Sequence, residues 1–193
     1  MAKFYDKLTP QLQDFIARQH IFFVATAPVN GRINLSPKGM DTFRVLDAKR
    51  AAFMNLTGSG NETAAHLADD GRITIMFCSF EEKPLILRLY GYGRAIHQHD
   101  AAWAEYAPLF PESEGGRNII LIEIDSLQTS CGFGVPLYDY RGEREALVKF
   151  IEAKGEEGIR RYWVEKNQIS IDGLPTHLLP EVSVHPSLKL DAD

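Results

Sequence analysis

Residues 53–66 read Phe-Met-Asn-Leu-Thr-Gly-Ser-Gly-Asn-Glu-Thr-Ala-Ala-His. A β-prone apolar run ends at Leu56, a turn of small polar residues follows, and a helical pattern begins near Glu62. A strand, a tight turn and a helix N-terminus in succession aim several backbone N–H groups at one place, which seats a phosphate or another anion. Gly58 and Gly60 permit close backbone approach. Ser59, Asn61 and Thr63 carry short polar side chains suited to capping the helix or reaching a ligand. No Lys follows the second glycine, so this is not the P-loop pattern. Taken alone, the stretch also fits an ordinary capped helix, and the rest of the chain has to decide.

Upstream, Thr9-Pro10 opens a helix with Leu12, Phe15 and Ile16 on one face. A strand over 21–27 leads through Asn30-Gly31, a hairpin signal, into a partner strand over 32–36. There Ile33 and Leu35 alternate with Arg32, Asn34 and Ser36, so one face is apolar and the other polar. Pro37 stiffens the end of that strand and fixes where Lys38 projects. Strands over 43–46 and 51–56 pair around residues 47–50. Downstream, a short helix over 62–68 stops at Asp69-Asp70-Gly71. Strands follow over 72–79 and 85–96, the second carrying Gly91 and Gly93, which predict a bulge or a bend. A helix over 100–106, a strand over 118–124 and a returning strand over 127–133 complete this part. From Glu143 the pattern is helical over 143–153 and 156–165, broken at Gly155. The order predicts a mainly β, antiparallel barrel with helices over 1–140, and a C-terminal helical extension over 141–193 packed on it.

The chain has 193 residues, 45% hydrophobic and 24% charged, enough for one sizeable core. Its net charge of −5 argues against a nucleic-acid surface. Two distant cysteines, Cys78 and Cys131, suggest free thiols in a reducing compartment. The N-terminus lacks an apolar signal core, and no apolar run is long enough to span a membrane, so a cytoplasmic protein is expected. His97 and His99 lack an evident third ligand, so no metal site is expected.

The order and spacing of several segments resemble the pyridoxamine 5′-phosphate oxidase family. They are Phe-Met-Asn-Leu-Thr-Gly-Ser before the short helix, Gly-Arg-Ile-Thr-Ile-Met-Phe after it, and Leu-Arg-Leu-Tyr-Gly-Tyr-Gly-Arg-Ala. The resemblance covers roughly residues 20 to 130. Segments 130–136 and 166–175 are similar to those of a poorly characterised branch of the superfamily. The resemblance implies a split, Greek-key-like β-barrel that binds FMN, usually as a homodimer with flavin at the interface. It implies flavin contacts from Asn34, Leu35, Ser36 and Lys38 on one strand, and from Asn55 and Leu56 along the ring edge. Ser59, Gly60, Asn61, Glu62 and Thr63 would surround the phosphate, with Arg88 as a further cation.

The match is uneven. Asn34 stands where the family has Arg, and where the family carries an Arg-Lys pair just after Gly-Ser this chain has Gly60-Asn61-Glu62-Thr63, which loses two cations and gains an acid. The terminal Arg-x-His substrate motif of the vitamin-B6 enzymes is absent, so a B6 substrate is not implied. The expected function is therefore an FMN-dependent oxidoreductase acting on an unidentified small molecule, with no general acid or base singled out. The alternatives are a flavin carrier without turnover, or a barrel holding haem or a deazaflavin.

Overall fold

The computed structural model describes residues 2–180. The last part of the expected extension, 181–193, lies outside the described residues. In chain order, β1 (Lys3–Tyr5) and α1 (Pro10–Ala17) precede β2 (Phe22–Thr26), β3 (Asn34–Lys38), β4 (Phe43–Val45) and β5 (Arg50–Leu56). Then come α2 (Glu62–Asp69), β6 (Arg72–Cys78), β7 (Ile86–His97), α3 (Trp103–Tyr106), β8 (Gly116–Ser130) and α4 (Ala146–Lys166).

The strands form one antiparallel sheet in the order β3-β2-β6-β7-β8-β5-β4, and β1 pairs with the C-terminal end of β8. Alternation sets the two faces. Val24, Ile75, Leu87, Leu89, Ile120, Ile122 and Leu127 turn inward and are buried. The sheet curls, because Phe22 of β2 packs edge-on against Phe43 of β4 with ring centroids 5.0 Å apart, although these strands lie near opposite ends of the order. Phe43 also meets Phe77 of β6 at 5.1 Å. Helix α1 adds Leu12, Phe15 and Ile16 to the same core; Thr9 caps it by accepting from the Leu12 N–H. The architecture is thus the expected mainly β half-barrel with helices, the last of them C-terminal.

Two local expectations change, and one strand is added. The β2–β3 hairpin forms, but β3 begins at Asn34, not Arg32, so Asn30-Gly31 lies inside a longer loop. No strand returns over 127–133, because Gly116–Ser130 is one continuous strand paired with β7 from Ile86↔Ser130 to His97↔Asn118. Asp125 and Ser126 read as a break, but they sit where the register shifts opposite Tyr90 and Gly91, and a bulge absorbs them without ending the strand. Strand β1 carried no signal of its own; three residues gain their order only by pairing with β8. The break at Gly155 is present as a non-helical residue with φ 62° inside α4.

The bulge explains Gly91. A Cβ there would lie 2.0 Å from the Glu123 carbonyl oxygen. Gly91→Ala is expected to destabilise the protein by about 2 kcal/mol or more, read as a lower urea midpoint with little change in m-value.

Candidate functional site

A cavity of about 940 Å³ opens where the curled sheet leaves β3 and β5 apart. β3 is an edge strand, which tolerates Pro37. Its alternation turns Asn34, Ser36 and Lys38 into the cavity and leaves Leu35 63% exposed. Met54, Asn55 and Leu56 of β5 form a second wall. The turn from Thr57 to Asn61 and the first turn of α2 close the inner end. Asn61 occupies the N-cap position of α2 but makes no side-chain cap. Its Oδ1 instead accepts from Asn55 and Asn118, each at 3.4 Å, and its buried Nδ2 has no partner. The expected capping by Asn61 is therefore replaced by an asparagine network shared by β5, β8 and α2.

Arg32, Lys38, Arg117 and Lys166 all line this space; Arg32 pairs with Asp172 and Lys166 is exposed, which leaves Arg117 and Lys38 as the cations drawn out of water. Arg117, at the start of β8, is 2% exposed. Its Nη1 donates to the Gly60 carbonyl at 2.8 Å and to Asn167 Oδ1 at 2.8 Å, and its buried Nε has no partner. Burial lowers its pKa to about 10, so it remains a cation at neutral pH. Lys38 is half-buried and donates to Asn55 Oδ1 at 3.0 Å. Burial, with the nearby Arg117 charge second, lowers its pKa to about 8. Among the described residues, every ion pair involves other groups, so neither cation has a carboxylate partner. A charge withdrawn from water without an opposite charge is costly unless a ligand supplies one.

The C-terminal segment fixes and covers the site. The Trp163 indole N–H donates to Thr57 Oγ1 at 2.8 Å, and Asn167 Nδ2 donates to the Gly58 carbonyl at 3.0 Å. Helix α4 and its C-cap residue thus pin the start of the turn and the Gly58 carbonyl. Beyond it, residues 167–176 cross the mouth as a strap. The Glu62 carboxylate accepts from the Ile171 N–H at 3.1 Å. Asp172 accepts from the Arg32 N–H at 2.7 Å and pairs with the Arg32 guanidinium. His66 is buried, with Nδ1 3.1 Å from Thr26 Oγ1. Its ring lines the cavity, and its buried Nε2 has no hydrogen-bond partner among the described residues.

Of the residues singled out from sequence, Asn34, Ser36, Lys38, Asn55 and Leu56 line the cavity, as do Ser59, Gly60, Asn61, Glu62 and Thr63. Leu35 and Arg88 do not. Leu35 points outward, and Arg88 donates to Ser130 Oγ at 3.2 Å away from the cavity. Glu62 lines the cavity with its carboxylate engaged by the strap. Arg117, Asn118 and Asn167 were not anticipated. A signal existed for Arg117, because it opens the apolar run 119–122, where a charge needs a partner or a ligand.

A sequence profile of the pyridoxamine 5′-phosphate oxidase family matches residues 8–131. This chain belongs to the pyridoxamine 5′-phosphate oxidase family. Another member, the family protein ustO of Aspergillus flavus, is 40% identical over 193 residues, covering 91% of this chain and 78% of that protein. Two solved structures share the family fold. A variant of HupZ from Group A Streptococcus is 22% identical, covers 63% of this chain and 98% of its own, and gives a TM-score of 0.52. A candidate oxidase of this family from Lactobacillus delbrueckii is 16% identical, with 64% and 94% covered and a TM-score of 0.51. The family match contains Lys38, Asn55, Asn61 and Arg117, whereas α4 and the strap lie beyond it. Trp163→Phe removes the indole donor to Thr57 while keeping an apolar ring. Thermal unfolding should show a loss of about 1 kcal/mol, near the value of one buried hydrogen bond.

Proposed function

We propose that this chain binds FMN in the cavity between β3 and β5 and acts as an FMN-dependent oxidoreductase on a small molecule. The observation that carries the reading is the pair Arg117 and Lys38, two cations without a described carboxylate, beside a glycine turn that leads into an uncapped helix N-terminus. A phosphate monoester supplies the missing charge and accepts from backbone N–H groups of that turn. The residues fit the group in two further ways. A Cβ on Gly58 would meet nothing within 4 Å, so the turn leaves open room. Asn55, Asn61 and Ser36 add polar groups along the walls. FMN would supply the redox chemistry. The protein's part is to bind it, orient it and shield it beneath the strap.

A homodimer with flavin at its interface belongs to the same reading. The outward face of the sheet carries Pro37, Phe23, Met76, Arg88, Gln128 and Phe4 in register across six strands. Phe4 is 72% exposed. A half-apolar stripe of this length is a natural contact surface. It would place Arg88 between subunits, outside its own chain's cavity. Met76→Glu should shift the protein from dimer to monomer in light scattering; an unchanged mass would remove this face as the interface.

Titration with FMN tests the flavin reading directly. Visible flavin absorbance should accompany the purified protein, and Lys38→Ala should weaken FMN at least about tenfold, matching about 1.5–3 kcal/mol for a charge-assisted contact. The pH dependence has a defined sign. Anion binding favours charged Lys38, so FMN affinity should fall as pH rises through about 8 in wild type. Lys38→Arg, charged throughout, should flatten that fall. Riboflavin, which lacks the phosphate, should show neither effect. Equal affinity for FMN and riboflavin would remove the phosphate from this corner.

A further inference from the structure

A second cavity, of about 550 Å³, adjoins the first. Met54, Leu56, Phe110, Val148 and Ile151 give it apolar walls. Glu112, Glu114 and Glu152 line it too, and no Lys or Arg does. Among the described residues, none of these three carboxylates enters an ion pair. Met40, Thr42, Met54 and Leu56 line both cavities. Lys38 and Arg117 thus lie on one side of a four-residue divide, and three exposed carboxylates without an ion-pair partner lie on the other.

The packing of this second space is specific. A Cβ on Gly115 would come 2.3 Å from Ile151 Cδ1, and one on Gly116 would come 3.1 Å from Met54 Sδ. The loop after Phe110 therefore presses on α4 and β5 at its base while the cavity stays open above. Met40, at the divide, is held at φ 61°, a left-handed conformation that an ordinary side chain adopts at a cost.

We propose that this acidic, apolar cavity takes an organic cation, an amine on an apolar or aromatic body without an anionic group, as the substrate recognised beside the flavin. An apolar cleft lined by one sign of charge concentrates ligands of the opposite sign and repels those of its own. A carboxylate analogue of the same shape is disfavoured by Glu112, Glu114 and Glu152. The role as substrate rests on the flavin reading above; recognition of the cation does not.

Calorimetric titration with phenethylamine and with 3-phenylpropionate, with and without saturating FMN, tests this. The amine should bind at least tenfold tighter than the acid, and FMN should leave its affinity unreduced. Replacing the three glutamates by Gln, all exposed positions, should cost the amine at least fivefold. Val148→Trp, which fills the cavity from an exposed position, should abolish binding of both. Equal affinity for amine and acid, no amine binding, or displacement of the amine by FMN would each overturn the proposal. FMN binding is titrated separately, so a protein that takes the amine but not FMN would keep the cation site and remove the flavin reading.

Discussion

A guanidinium with 2% exposure and no described carboxylate partner is the constraint around which this site is built. Arg117 enters at the start of the strand that carries most of the sheet's pairing, so its backbone cannot retreat to solvent. The fold answers with dipoles in place of a charge. The carbonyl of Gly60 and the amide oxygen of Asn167 meet Nη1, and Nε is left without a partner. Dipoles offset part of the desolvation cost of a full charge, and the remainder is available to an anion. Lys38 adds a second positive charge on the opposite wall and pays for its position with a lowered pKa.

Holding that arrangement takes elements from distant parts of the chain. The glycine turn is pinned by Trp163 through Thr57 and by Asn167 through Gly58. Trp163 lies in the last turn of α4 and Asn167 caps its end, both beyond the span shared with the family profile. The barrel therefore supplies the two cations drawn out of water, and the C-terminal segment supplies their enclosure. Glu62 shows the same division. It sits in the turn region where an acid would repel a phosphate, yet its carboxylate is occupied by the N–H of Ile171. An acid at the anion seat becomes the anchor of the strap.

The curl of the sheet decides where the compartments fall. Phe22, Phe43 and Phe77 draw β4 back toward β2 and β6, and the sheet gapes between β3 and β5. Residues 39–42 cross this gap with Met40 and Asp41 both at positive φ. Their side of the molecule therefore serves two cavities of opposite charge, with β5 as the common wall.

Much of this was legible along the chain because it depends on local periodicity. The strand–turn–helix from Phe53 to His66, the Thr9-Pro10 helix start, the Gly91 bulge and the Gly155 break all follow from backbone preferences within a few residues. The polar face of residues 34–38 was legible for the same reason, and ten of the twelve residues singled out for the site line one cavity. Only the tertiary structure decided which face of β3 turns inward, because alternation orders a strand's faces but not their direction. Here the polar face is enclosed and Leu35 is left outside. Tertiary structure also placed Arg117, and not Arg88, in the same cavity as Lys38. Both arginines stand in apolar strands, and sequence cannot say which face of a curled sheet each one meets. The strap was beyond sequence altogether: Glu62 and Ile171, or Arg32 and Asp172, meet only when more than a hundred residues of chain have folded between them.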